Sequence, residues 1–198
     1  DRSVSRGLGD VYKRQLMDFE IKIIEFLQAG RTPFFDGAFQ VISLIGSYVG
    51  AVALVIFFLF TKKRYAFWFL FTYGFAYLTQ NILKEAIARP RPFNVSDTIV
   101  NIGDVVTDFS MPSGHTICAT LIAIFLGAYL FSVYKKKGQR VWVTLALVVY
   151  VGLVMLSRMY LGKHYLTDVI AGMSLAVVFG VLGPVSYTHL TLPTNSRV

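Results

Sequence analysis

Two histidines, one serine and a set of cations are spaced along this chain in a way that suits phosphoryl chemistry. Lys84 and Arg91 stand seven residues apart, hence on one helix face if the helix persists that far. Pro112-Ser113-Gly114-His115 reads as a helix start, with Ser113 as cap and free backbone amides beyond it. Such a start is a ready anion site. His164 and Asp168 are four apart and would stack on one helix face behind Arg158 and Lys163. An imidazole held by a carboxylate is oriented and made more basic, so it can attack phosphorus. A second imidazole can protonate the departing oxygen, an effect worth roughly 10²–10⁴ in rate. Arginine and lysine around the equatorial oxygens stabilise the developing charge.

The supporting elements follow from composition. Only 15% of the 198 residues are charged and 55% are hydrophobic. A soluble domain carries roughly 25% charged residues. The pattern predicts an all-α, polytopic membrane helical bundle of five to six transmembrane helices. The runs are Gly37–Thr61, Tyr65–Leu83, Thr116–Tyr134, Val141–Ser157 and Tyr165–Pro184. Each approaches the ~20 residues a spanning helix needs. Phe19–Gln28, interrupted by Glu20, Lys22 and Glu25, reads as an interfacial helix that Pro33 closes, and whether Phe34–Ser47 crosses is left open. One cysteine, Cys118, excludes a disulfide framework and a cysteine zinc site.

The net charge of +8 does not point to nucleic acid, because the basic residues cluster between apolar runs. Lys62-Lys63-Arg64 and Lys135-Lys136-Lys137 lie two spans apart, so they share a side, and the positive-inside rule makes it cytoplasmic. Lys84, Arg91, His115, Arg158, His164 and Asp168 then face the extracytoplasmic side of a plasma or inner membrane. Carboxylates there are few (Asp97, Asp104, Asp108 and Asp168), which disfavours a metal mechanism.

Both ends read as foreign to the rest. Ser5–Gln15 resembles one reading frame of a transposon-end sequencing adapter, and Val185–Thr194 the reverse complement of its companion. The natural domain is therefore expected at 17–184, with 1–16 and 185–198 as non-native tails.

In order along the chain, Lys84-(six residues)-Arg91-Pro92, Pro112-Ser113-Gly114-His115 and Ser157-Arg158-(five residues)-His164-(three residues)-Asp168 resemble the three-part signature of the type 2 phosphatidic acid phosphatase (PAP2) superfamily. The resemblance covers about residues 34–184. It implies a metal-independent, cofactor-free integral-membrane lipid phosphatase with a six-helix bundle. His164 would be the nucleophile that becomes phosphohistidine, Asp168 its activator and His115 the acid for the leaving group. Lys84, Arg91, Ser113, the Gly114 amide and Arg158 would bind phosphate. Partners would be the bilayer and a lipid phosphate: phosphatidic acid, phosphatidylglycerophosphate or undecaprenyl diphosphate.

Blander readings compete for each residue. Lys84 and Arg91 could snorkel to headgroups, and Ser113 could be only a cap. Asp168 inside an apolar run is the hardest to treat as decoration. Arg89 reads as a headgroup contact, Lys163 as a rim charge, and Gln80 and Asn81 as polar helix–helix contacts. Two further functions stay open: a phosphotransferase with the same site, and a non-catalytic lipid-phosphate binder. The binder would need the cations but not the His164–Asp168 pair. The soluble vanadium haloperoxidases share the motifs but not the apolar runs.

Overall fold

A computed structural model describes residues 2–181, with side chains described from residue 15 onward. The tail reading for 185–198 lies outside the described residues. The elements are helices α1 (Arg2–Gln28), α2 (Pro33–Ile45), α3 (Tyr48–Thr61), α4 (Lys63–Ile87), α5 (Gly114–Val133), α6 (Lys137–Tyr160) and α7 (Leu166–Gly180). A 3-10 turn, Pro92–Asn94, interrupts the long α4–α5 connection. The expected interfacial segment Phe19–Gln28 is the C-terminal part of α1.

Local chemistry sets the boundaries. Thr32 caps α2, its hydroxyl accepting from the Phe35 amide at 3.3 Å, and Pro33 occupies the first turn where no amide proton is needed. Gly46 and Ser47 then break the apolar run expected to be one span. Ser47 starts α3 by accepting from the Val49 amide at 3.1 Å.

Helix α5 is the axis of the bundle, packing against α3, α4, α6 and α7. Its Ile117, Leu121 and Phe125 meet Phe58 of α3, Phe69 of α4 and Ala176 of α7 in the main core. A smaller core joins Ile24 of α1 to Met159, Tyr165 and Val169. Gly172 brings α7 close to the start of α5: a Cβ there would stand 2.6 Å from the Ser113 carbonyl oxygen.

The expectation of five to six membrane spans is overturned. Among the described residues only α5 (20 residues) and α6 (24 residues) are by themselves long and apolar enough to cross a bilayer. The pair α2 and α3, bent by 45°, makes a third if it is one span. Helix α4 is long enough, but Thr72, Tyr73, Tyr77, Thr79, Gln80 and Asn81 dilute its apolar residues. The described α7 has 15 residues, about 22 Å at 1.5 Å each, short of ~30 Å of hydrocarbon. Long apolar runs in sequence therefore overcount spans, because breaks and polar turns divide them. The fold is an all-α, membrane-associated bundle whose exposed Phe60, Ile82 and Trp142 would be costly in water.

Candidate active site

The end of α4, the start of α5, the end of α6 and the start of α7 meet at one end of the bundle. The left-handed Ala88 (φ 49°) stops α4, and Pro90 and Pro92 keep it from resuming. The helix does not persist to Arg91, so Lys84 and Arg91 share no helix face. They are brought together by Asp108 from the α4–α5 connection. Lys84 Nζ donates to one Asp108 carboxylate oxygen and Arg91 Nη2 to the other, at 2.5 Å. Burial resists ionisation of Asp108, but the Lys84 and Arg91 contacts outweigh it and hold its carboxyl below the usual range.

Arg91 also reaches across the site. Its Nη1 donates to the Lys163 carbonyl at 2.8 Å and lies 3.4 Å from His164 Nε2. His164 is not on α7 but in the turn before it, so its approach to Asp168 comes from a helix cap and not from helical spacing. One Asp168 oxygen accepts from the Tyr165 amide at 2.9 Å and stands 3.6 Å from His164 Nδ1, longer than a hydrogen bond. Among the described residues Nδ1 has no hydrogen-bond partner. Burial first, then Arg158, Arg91 and Lys84, push His164 well below the ordinary histidine pKa. This favours the neutral ring, whose Nε2 lies beside the Arg91 guanidinium.

Arg158 is buried, and its Nη1 donates to the Ser43 hydroxyl of α2 at 2.6 Å. Its Nε has no partner, and no carboxylate among the described residues bridges to it. A buried guanidinium without a counter-ion is a strong anion attractor, since burial of an unpaired charge is costly.

A cavity of about 370 Å³ collects Lys84, Arg91, Gly114, His115, Arg158 and His164 along its wall, together with Gln80 and Asp108. Both imidazoles face one space. Gly114 lies close to Gln80: a Cβ would stand 2.8 Å from its side-chain amide, which would have to shift. A second cavity, about 480 Å³, shares Ser47, Tyr48, Val106, His115 and Arg158 with the first. Leu44, Ile102, Leu161 and Lys163 also line it, so His115 stands at the junction of a cationic and a more apolar space. Burial, then Arg158 and Arg91, lower Lys163 to about 8; it bonds to Asn101 and the Asp104 carbonyl and is not a rim charge.

Two expected site residues are not on the wall. Ser113 precedes α5 but its side chain makes no cap bond; its hydroxyl accepts from Thr116 at 3.1 Å. Its amide instead donates to the Asp168 carbonyl at 3.0 Å. Asp168 is fully buried behind His164. Arg89, read from the sequence as a headgroup contact, instead pairs with Glu20 and Asp168, and Gln80, read as a helix–helix contact, lines the cavity; the sequence alone gives Glu20 and Asp108 no part in the site. Glu20 had a signal: it shares the buried α1 face with Ile24 and Gln28, at a spacing of four. Asp108 had none, because a loop carboxylate has no periodicity. Among the described residues no group of three His, Cys, Asp or Glu is placed to hold a metal ion.

A helical membrane-associated protein with a buried cationic pocket lined by two imidazoles has the features of the lipid-phosphatase type, and the comparisons place it there. The PAP2 superfamily profile matches residues 65–191, and the chain belongs to that superfamily. It is 28% identical over 181 residues to a lipid A 4'-phosphatase of Porphyromonas gingivalis, covering 83% of this chain and 71% of that one. It is 35% identical over 113 residues to phosphatidylglycerophosphatase B of Bacillus subtilis, covering 55% of this chain and only about half (51%) of that one. The crystal structure of a transmembrane PAP2-type phosphatidylglycerolphosphate phosphatase from Bacillus subtilis superposes with a TM-score of 0.73. That match covers 91% of this chain and 88% of the other at 24% identity, a likeness of fold.

Proposed function

We propose that this protein hydrolyses a lipid phosphate or diphosphate through a phosphohistidine on His164. The observation that carries the reading is the buried, carboxylate-free Arg158 sharing one cavity with Arg91, Lys84 and both imidazoles. A phosphoryl group entering it would displace Asp108 from Lys84 and Arg91 and supply the anion that Arg158 lacks.

In the first step His164 Nε2, the nitrogen beside Arg91, forms a bond to phosphorus while the bond to the lipid oxygen breaks. His115, entering the step as imidazolium once the bound phosphoryl anion offsets the surrounding cations, gives that oxygen its proton, and the lipid departs through the more apolar cavity. In the second step His115 takes a proton from water, the hydroxide attacks phosphorus, the P–N bond breaks and phosphate leaves. Asp168 faces Nδ1 and favours the positive charge that develops on the ring. Arg158, Arg91, Lys84 and the Gly114 amide hold the phosphoryl oxygens.

The basic segments Lys62–Arg64 and Lys135–Lys137 lie at the ends of helices away from this site, which supports an extracytoplasmic site under the positive-inside rule. The names of the relatives support lipid substrates, and the test is a panel. Protein in detergent with EDTA is given phosphatidic acid, phosphatidylglycerophosphate, lipid A and undecaprenyl diphosphate, and released phosphate is measured. At least one should be hydrolysed and His164→Ala should abolish release; a strict requirement for added Mg²⁺ would overturn the mechanism.

A further inference from the structure

Glu20 and Arg89 have no part in this mechanism, yet they form the most fully bonded charged cluster in the described residues. Glu20, 1% exposed on α1, uses both carboxylate oxygens. Oε1 accepts from the Thr167 amide and hydroxyl, each at 2.7 Å, and Oε2 from Arg89 Nη2 at 2.5 Å. Arg89 Nη1 donates to Asp168 Oδ1 and to the Thr167 hydroxyl, each at 2.7 Å. The guanidinium lies 3.9 Å over the Tyr165 ring. Neither Glu20 nor Arg89 lines the two cavities that hold His115, so neither is placed to bind phosphate.

We infer that Arg89 and Glu20 are positioning residues that keep Asp168 anionic and aimed at His164, making α1 part of the catalytic apparatus. This rests on the phosphohistidine reading above. A carboxylate buried alone tends to take up a proton, and a neutral Asp168 could not balance charge developing on the imidazole. Burial pushes the Asp168 carboxyl above the usual carboxylate range, and the Arg89 contact opposes that rise. By itself it would also cancel the negative charge that His164 needs. Glu20 corrects this: carboxylate, guanidinium and carboxylate sum to one negative charge, shared across Arg89 and ending at Asp168. The fork fixes Oδ1, leaving Oδ2 to the Tyr165 amide and the His164 side. A purely stabilising role is a weaker account, because buried ion triads are commonly replaced by apolar residues without loss of stability.

The test uses the full chain in detergent with the best lipid of the panel, recording kcat, KM and Tm. Arg89→Gln should lower kcat by about 100-fold with KM within about threefold, and Glu20→Gln should lower kcat by about tenfold. Arg89→Lys should recover part of the loss, since it restores the charge without the fork. Combining Glu20→Gln with Arg89→Gln should add little, as expected for members of one network. A kcat for Arg89→Gln within twofold of wild type would refute the inference, as would a loss confined to KM. Losses that follow Tm with no rescue by Arg89→Lys would also refute it. If Arg89→Gln does not fold, Glu20→Gln and Arg89→Lys decide by the same criteria. His164→Ala separates the two readings. Activity in that variant sinks the phosphohistidine mechanism; an inactive His164→Ala beside a wild-type-like Arg89→Gln sinks only the role of Arg89 and Glu20.

Discussion

At the scale of the residue, burial and positive neighbours act on His164 in the same direction. Burial disfavours the imidazolium, and Arg158, Arg91 and Lys84 add repulsion. An unfolded histidine titrates near 6.5. Below that pH the unfolded chain binds a proton that folded His164 refuses, so this residue's contribution falls as pH drops. Asp108 acts in the same sense, because its folded pKa is lowered and its contribution is lost in acid. Comparison with His164→Asn isolates the ring, since Asp108 remains in both proteins. The Tm of wild type should fall further between pH 7.5 and 5 than that of His164→Asn. Equal falls would show that the ring takes up its proton as readily folded as unfolded.

At the scale of the element, two helix starts are fastened to each other. The Ser113 amide donates to the Asp168 carbonyl, and Gly172 lets α7 approach α5 closely enough for that bond. The obstacle to a larger residue is a backbone carbonyl at 2.6 Å, which no rotamer change can remove. Gly172→Val should destabilise by about 1–3 kcal/mol, in the range of core overpacking. It should also lower activity more than the stability loss accounts for, because His164 and His115 sit beside the displaced ends. Thermal unfolding and phosphate release on one preparation check both; unchanged Tm would mean that α7 adapts. Gln28 plays a comparable part on α1, donating to the Val100 and Tyr160 carbonyls at 2.9 and 2.7 Å. That ties the α4–α5 connection to the end of α6.

At the scale of the molecule, the bundle is dressed for hydrocarbon and wired at one end for charge. Trp142 on α6 is 74% exposed, whereas Trp68 on α4 is only partly so. Brominated acyl chains should quench Trp142 in a Trp68→Phe variant more than Trp68 in a Trp142→Phe variant. The reverse order would place α6 away from lipid. The buried charged residues of the described bundle gather around the two cavities and the Glu20–Arg89–Asp168 cluster. This keeps unpaired charge out of the apolar core that α5 organises.

The sequence by itself determined the helical class and the apolar character, and it named candidates for the site. Residue type carries chemistry, and apolar runs carry burial, without reference to distant parts of the chain. It overcounted the spans because hydropathy does not see the break at Gly46–Ser47 or the polar turns of α4. It paired Lys84 with Arg91 and His164 with Asp168 by helical spacing, whereas a loop carboxylate and a helix cap make those meetings. Only the tertiary structure could bring Asp108 between two cations, leave Arg158 without a carboxylate and set Glu20 beside Arg89. Those contacts join residues up to 69 apart, and a charge acts through the distance to its partner in space, which no local pattern encodes.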